Sequence, residues 1–393
     1  MDNFLYYTPT KVYFGKDQEN NIAKIIKEYH PNKVLVHYGG GSIIRSGLLA
    51  KVENLLKEED IKYILLGGVR ANPTIELVKE GIALSLKEGV DFVLAIGGGS
   101  VLDSAKAISH GVANPQDDVW DYSLGKKKPE KTLHKACILT IAAAGSEMSD
   151  SCVISSDSTK EKRGFGTPLN RFDVAIENPE LTYTVPPYQT ACGAVDIALH
   201  TIERYFDLGT GSELTDSIAE AIIKNTFKFG YECYIHPNDY EARANMMWAS
   251  SLAHNGLTTC GRSFLLTVHQ LEHALSALYP DIAHGAGLAS LWCSWARYTY
   301  KYALDRFIKY ARNVWDIDIK DEEEAIIKAI DKQEEYYRSI GMPISIKELG
   351  VKEEDIEWLS IKVSNNKTRV IPGYKPLGYQ EVYDIFMMSY RNQ

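Results

Sequence analysis

Asp91-Phe-Val-Leu-Ala-Ile96-Gly97-Gly-Gly99-Ser100 decides the fold. A short apolar run enters three glycines, and from Val101 to Ser109 the apolar spacing becomes that of a helix. A buried strand, a tight turn and a helix in that order form one unit of a parallel sheet. The same pattern recurs on either side. Lys33–Tyr38 ends at Gly39-Gly40-Gly41-Ser42, and a helical stretch follows to about Leu56. Ile61–Leu66 ends at Gly67-Gly68, and Ile75–Glu88 has helical spacing. Ala136–Ile141 and Phe172–Ile176 read as further buried strands. The N-terminal part is therefore predicted to be α/β, with a mostly parallel sheet covered on both faces.

The character changes near Pro179–Pro187. Beyond it, Gln189–Phe206, Glu213–Lys228, Tyr240–Leu257, Phe264–Leu278, Ala289–Val314 and Glu322–Ile340 read as helices. Pro186-Pro187 cannot lie inside a helix, though the second can start one. The boundary falls at about Thr184. Residues 1–184 form the α/β domain and 185–393 an all-α domain.

Over 393 residues, hydrophobic residues are 45%, charged residues 24% and the net charge is −9. A chain of that length can build two cores. The negative charge excludes a general nucleic-acid binder, which would carry a basic patch or stripe. Cys137, Cys152, Cys192, Cys233, Cys260 and Cys293 are scattered without a C-x-x-C pair, which argues for reduced thiols. The first residues show no basic and apolar leader, and no apolar run nears the ~20 residues of a membrane span. The expected location is the cytoplasm.

A net negative chain can still hold an anionic cofactor through backbone amides. Gly97-Gly98-Gly99-Ser100 and Gly39-Gly40-Gly41-Ser42 both follow a strand and open a helix. Neither is the G-x-G-x-x-G fingerprint, so an ordinary Rossmann assignment does not follow. Two such loops on one sheet point to a nucleotide. The strand before the second ends His37-Tyr38-Gly39, with no carboxylate to take a ribose 2′-OH. Ser42 and the loop amides could hold a 2′-phosphate instead, which favours NADP(H) over NAD(H).

The helical half carries a second pattern. Asp196 and His200 lie four apart, as do His269 and His273, and His284 precedes Gly285. Residues four apart share a helix face. Asp196 and His200 can close on one point, His269 can reach it from a second helix, and His284 can supply a fourth arm. One carboxylate and three imidazoles suit Fe(II) or Zn(II). With a divalent ion a single carboxylate leaves the site net positive, which favours an alkoxide. His30, His110, His134 and His236 lack such partners, and His254 reads as a capping or packing residue. Trp292, Trp295 and Phe264 are aromatic candidates for a pocket, with core packing the commoner role.

Gly193-Ala-Val-Asp196-Ile-Ala-Leu-His200-Thr-Ile-Glu203, His269-x-x-x-His273 and Ala283-His284-Gly285 together resemble the iron-containing (group III) alcohol dehydrogenase family. So do Thr8–Gly15, Asn72-Pro73-Thr74, Gly97-Gly-Gly99-Ser100-x-x-Asp103-x-x-Lys106 and Gly145-Ser146-Glu147. Tyr38–Ser42 and Tyr183–Pro187 are similar to its butanol dehydrogenase and NADPH-dependent aldehyde reductase branch. The resemblance covers essentially the whole chain. It implies a dehydroquinate synthase-like fold and an oxidoreductase. By matched position Asp196, His200, His269 and His284 would bind one Fe(II) or Zn(II), with His273 near the nicotinamide and the substrate. Gly39, Ser42, Asn72, Gly98, Gly99, Ser100, Asp103, Thr140, Ser149 and Lys162 fall where the family contacts its dinucleotide. Leu139–Ala144 departs from the pattern, having fewer threonines than relatives often have.

The expected reaction is interconversion of primary alcohols, such as butanol, and aldehydes by hydride transfer. The rivals are an NAD-dependent polyol dehydrogenase of the glycerol type and a non-catalytic nucleotide-binding protein. No nucleic-acid or membrane partner is expected. Lys11-Val-Tyr-Phe14 is short, apolar and β-prone. Such an edge strand is a liability unless paired, and in the resembled family it often crosses to a partner subunit. A homodimer is the expected assembly.

Overall fold

The computed structural model describes residues 1–206, 208, 212–263 and 265–392. It divides into two compact units. Residues Tyr7–Thr184 form one; Val185–Gln393 form the other together with Met1–Tyr6. The first six residues therefore part from the α/β unit, where the sequence reading had put them. Asp2 N–H donates to Gly261 O at 3.0 Å, which ties them to the helical unit.

In the α/β unit the strands are β1 (Lys11–Phe14), β2 (Val34–Tyr38), β3 (Tyr63–Leu66), β4 (Phe92–Gly97), β5 (His134–Leu139), β6 (Ser151–Ser156), β7 (Glu161–Gly166) and β8 (Val174–Glu177). The helices are α1 (Ile22–Lys27), α2 (Ser42–Arg45), α3 (Leu48–Glu58), α4 (Ile75–Glu88), α5 (Gly99–Ala113) and α6 (Trp120–Ser123). A six-stranded sheet has the order β1-β8-β5-β4-β2-β3, and its neighbours pair in parallel. Val34, Val36, Phe92, Leu94, Ile96, Ala136, Ile138, Val174 and Ile176 point to one face and pack on Ile22, Ile26, Val52 and Leu56. Leu35, Val93 and Ala95 are buried on the other face. Burial on both sides is why these strands read as unbroken apolar runs.

The order has a functional consequence. From β2 the chain passes outward to β3; from β4 it passes the other way to β5. The reversal lies between β2 and β4, which are neighbours with Tyr38 opposite Ile96. Ligands of open α/β sheets bind at the carboxyl ends of strands at such a switch point. Both glycine loops leave the sheet there.

Two features depart from the sequence reading. The helical stretch after β2 is interrupted, because Gly47 takes φ 76° between α2 and α3. And β6 and β7 form an antiparallel hairpin that the sequence reading missed, since serines and charges there mask the alternation. Ser155 N–H donates to Pro73 O at 2.8 Å, which ties the hairpin to the Asn72–Thr74 loop.

The other unit is helical: α7 (Pro187–Tyr205), α8 (Glu213–Ile235), α9 (Tyr240–His254), α10 (Thr267–Leu278), α11 (His284–Thr299), α12 (Leu304–Trp315), α13 (Glu322–Ser339), α14 (Ile356–Val363) and α15 (Tyr379–Arg391). Pro187 opens α7, and the Asp321 side chain caps α13 by accepting from Glu324 N–H. The helix predicted over 289–314 is two helices. In one continuous helix Trp295 and Phe307 would be about 18 Å apart along the axis. The break at Tyr300–Tyr302 instead brings their rings to 6.2 Å, both against Phe206. The expected start of α10 at Phe264 falls outside the described residues. No helix among the described residues is long and apolar enough to cross a membrane.

Helices α7 and α11 are in close contact at Gly285, where a Cβ would collide with the Cys192 carbonyl group. This contact is backbone on backbone, so no side-chain rotation relieves it. Gly285→Ala is expected to force the helices apart, at a cost of about 1–3 kcal/mol. Thermal unfolding checks this: the variant should melt several degrees below the parent, and an unchanged melting temperature would contradict the contact.

Candidate metal and nucleotide sites

Helix α7 presents Asp196, His200 and Glu203 along one face, α10 presents His269, Glu272 and His273, and α11 begins at His284. Asp196 Oδ1 lies 3.4 Å from His200 Nε2, 3.7 Å from His269 Nε2 and 3.7 Å from His284 Nε2. Asp196, His200 and His269 are each about 95% buried. Asp196 Oδ1 and His269 Nε2 have no hydrogen-bond partner. Lone pairs buried at this separation repel unless something positive lies between them. Four ligands at bonds of about 2.0–2.2 Å would stand about 3.4 Å from one another in a tetrahedron. Asp196, His200 and His269 have ligand atoms within 4.8 Å of one another, a buried set that fits a single divalent cation with nitrogen and oxygen ligands of the kind Fe(II) and Zn(II) accept, and His284 reaches it through its 3.7 Å approach to Asp196.

The remaining ring nitrogens are held from behind. Glu203 Oε1 lies 2.5 Å from His269 Nδ1. The same carboxylate accepts from Val268 N–H at 2.7 Å and His269 N–H at 3.1 Å. It thus orients the ring and places an anion on the N-terminus of α10. His284 Nδ1 meets Glu272, which is fully buried and also accepts from Ser276. A carboxylate on the far nitrogen fixes the tautomer and makes the near nitrogen a better donor. Sequence reading missed both carboxylates' roles. Glu203 lies on the Asp196–His200 face at i+3 from His200, and that spacing was its signal. The two carboxylates also revise the charge. Asp196 alone leaves a dication net positive; Asp196, Glu203 and Glu272 together outweigh it.

Burial, and then the neighbouring imidazoles, hold His200 well below the usual histidine range. Its lone pair is thus available. His269 behaves oppositely. Burial pulls its pKa down, but Glu203 and Asp196 outweigh burial and lift it to about 9. His273 lies one turn beyond His269 on α10, with its ring centroid 5.8 Å from that of His284. Glu272, His273 and His284 have ligand atoms within 4.8 Å of one another, so His284 links His273 to the Asp196 cluster. His254, expected to cap or pack, does pack: its ring lies 4.1 Å from that of His200. Trp292 is fully buried among Phe206, Trp295 and Tyr310; Phe264 is outside the described residues.

In the α/β unit, Gly39 ends the β2 turn, where a Cβ would sit 3.4 Å from Val69 O. Ser42 opens α2 and is exposed, and the Arg45 guanidinium crowds the place of a Cβ on Gly41. Helix α5 begins at Gly99, and its first backbone bonds run from Val101 and Leu102 to Gly98 O. The amides of Gly99 and Ser100 precede those bonds and carry the positive end of the helix. A Cβ on Gly98 would strike Ile141, and one on Gly99 would touch Ala144 at 3.4 Å. These glycines form a cradle that larger residues would fill. Thr140 N–H donates to Gly97 O at 3.1 Å. Asn72 takes φ 57° beside the hairpin, and Lys162 pairs with Ser155 on it. Asp103 and Ser149 differ from the rest. Asp103 holds Ser146, Lys106 and Val153 N–H, and Ser149 Oγ accepts from Ser151 N–H.

Comparison with known proteins identifies the family. The family profile described as iron-containing alcohol dehydrogenase matches residues 9–179, and its C-terminal counterpart matches 190–390. The chain is 42% identical to NADH-dependent butanol dehydrogenase A of Clostridium acetobutylicum, over 99% of this chain and 100% of that protein. It is 33% identical to the NADPH-dependent aldehyde reductase YqhD of Escherichia coli, over 93% and 94%. The crystal structure of NADH-dependent butanol dehydrogenase A from Thermotoga maritima superposes with a TM-score of 0.95 at 37% identity, covering 99% of both chains.

A cation entering the cluster must displace the proton of His269, whose pKa is about 9 without metal. Metal uptake by stripped protein at pH 7 is therefore expected to release about one proton per site, and apparent affinity should climb as pH rises towards about 9. Titration calorimetry in buffers of different ionisation enthalpy reads this directly. His269→Ala should lose most of the metal while the fold remains. Full occupancy in that variant would remove His269 from the site.

Proposed function

The chain belongs to the iron-containing alcohol dehydrogenase family, and from that premise we propose that it is a metal-dependent, NADP(H)-linked alcohol dehydrogenase and aldehyde reductase acting on primary alcohols such as butanol. It is an oxidoreductase interconverting alcohols and aldehydes. What carries the metal assignment is the carboxylate oxygen of Asp196 facing three imidazole nitrogens at 3.4–3.7 Å.

In the reductive direction a bound reduced nicotinamide would supply the hydride for the aldehyde carbon, and a proton from water would complete the alcohol. Asp196, His200, His269 and His284 would hold Fe(II) or Zn(II), which supplies a Lewis acid for the substrate oxygen. Glu203 and Glu272 hold His269 and His284 by Nδ1, which would favour the tautomer that turns an Nε2 lone pair on the ion. His273 stands beside His284 and relays the proton or seats the nicotinamide. In the α/β unit the amides of Gly98, Gly99 and Ser100 take the pyrophosphate. Asn72, Thr140 and Lys162 border the same loops.

The cofactor preference rests on Gly39 and its neighbours. No carboxylate is present there to accept from a ribose 2′-OH, and Arg45 brings a cation to the loop beside Ser42. Those features favour a 2′-phosphate. A preference for NADH has its own support in the names of the Clostridium and Thermotoga relatives. Edge strand β1 pairs with β8 among the described residues, and we place a homodimer contact on its outer side. Light scattering that shows only monomer at micromolar concentration would contradict it. The cysteines are unpaired, which suits a reducing cytoplasm.

Two measurements test this reading. First, kcat/KM with butanal should favour NADPH over NADH, and Gly39→Asp should reverse the order, because a carboxylate accepts from a 2′-OH and repels a 2′-phosphate. A wild-type preference for NADH of about tenfold, roughly 1.4 kcal/mol, would overturn it. Second, His273→Ala should lower turnover about 10²-fold or more, alter its pH profile, and leave metal content near the parent value. Metal loss equal to that of His269→Ala would make His273 a ligand; unchanged kinetics would make it a packing residue.

A further inference from the structure

Lys106 is fully buried on α5, and neither the metal cluster nor the glycine loops use it directly. Its Nζ donates to Ser146 Oγ at 2.7 Å, Ser151 O at 2.6 Å and Asp103 Oδ1 at 3.2 Å. Ser146 Oγ in turn donates to Asp103 Oδ1 at 2.6 Å. Val153 N–H fills Asp103 Oδ2 at 2.9 Å, and Cys152 Sγ donates to Asp103 O at 3.2 Å. One buried ion pair thus ties the second turn of α5 to the loop after β5 and to strand β6.

Such pairs add little net stability. Desolvating two charges costs several kcal/mol per ion, and apolar replacements of similar volume are often neutral or better. What the pair does supply is position. The loop it grips lies on Gly99: Ala144 Cβ and Ser146 Cβ stand 3.4 and 4.0 Å from the place of a Cβ there. A shift of Ser146 changes the gap above the amides of Gly99 and Ser100. Misplacements of about 1 Å are enough to cost 10²-fold in a preorganised site.

We propose that Lys106, acting through Asp103 and Ser146, is a positioning residue that sets the width of the phosphate cradle over Gly99. The inference rests on the dinucleotide reading of that loop. In it Asp103 reaches the cofactor through the loop that it holds.

The test is equilibrium binding of NADPH and NADH, followed by nucleotide fluorescence, with the metal-loaded full chain. Lys106→Met combined with Asp103→Asn removes both charges together. Ser146→Ala removes only the bridging hydroxyl and keeps the test open if the double variant fails to fold. The expected result is a Kd for both nucleotides raised tenfold or more in the double variant and threefold or more in Ser146→Ala. The KM for nucleotide should rise in parallel, in Ser146→Ala with kcat at saturation near the parent value, and metal content should stay near the parent value in both variants. A folded variant that melts lower but binds within threefold would make the node a stability element and overturn the proposal. A wild type that binds neither nucleotide would instead overturn the dinucleotide reading beneath it.

Discussion

A carboxylate oxygen and three imidazole nitrogens turned on one another, with Asp196, His200 and His269 buried and His284 partly exposed, are the constraint on which the helical unit depends. Nothing in water or in an apolar core favours that arrangement. It persists because each participant is held from outside the cluster. Asp196 and His200 are fixed one turn apart by α7. His269 is fixed by Glu203, which also terminates the amides at the start of α10. His284 is fixed by Glu272 and by the close approach of α11 to α7 at Gly285. Leu266 enters α10 at φ 46°, a costly conformation for leucine. The turn it makes sets the phase of the helix that carries His269.

On the dinucleotide reading, the α/β unit would hold its anion mainly through backbone amides. Its adjacent strands β2 and β4 end in glycine turns at the reversal of strand order, and the helix that follows β4 offers unbonded amides. The charges near this place are mostly neutralised inside the protein. Asp103 and Lys106 face each other. His37 bridges Leu66 O and Ser104 Oγ, and burial holds it neutral with a pKa of about 4. A site built from amides and small residues depends on the distances between loops more than on net charge. That dependence is consistent with a chain of net charge −9 holding a polyanionic cofactor.

The sequence made the periodic parts legible. Helix α4 runs Ile75–Glu88, the same bounds its spacing predicts. The buried strands were legible because burial on both faces leaves them uniformly apolar. Segments that obey a mixed rule were not. The hairpin β6–β7 alternates in burial on its first strand, but with Ser151, Ser155 and Ser156 among its residues and Glu161-Lys-Arg163 opposite, composition hides the pattern. The break between α11 and α12 contains neither proline nor glycine. It is imposed by aromatic packing on Phe206, a contact remote in sequence. Helices α14 and α15 also escaped the sequence reading.

The candidate site was legible to the same depth. Spacing alone brings Asp196 to His200 on one face and turns His269 towards them, because helix geometry fixes neighbours within a turn. It cannot say what stands behind an imidazole, since Nδ1 and Nε2 lie on opposite sides of the ring. Glu203 is 66 residues from His269 in sequence yet 2.5 Å from it in space. The chemistry of the centre is tuned from there. A dication facing Asp196 alone would be a strong electrophile. With Glu203 and Glu272 on the far nitrogens of two of the three imidazoles, a cation held there would receive more electron density and be a weaker electrophile. The two buried glutamates would thus tune such a centre without touching the ion, each through the imidazole it holds.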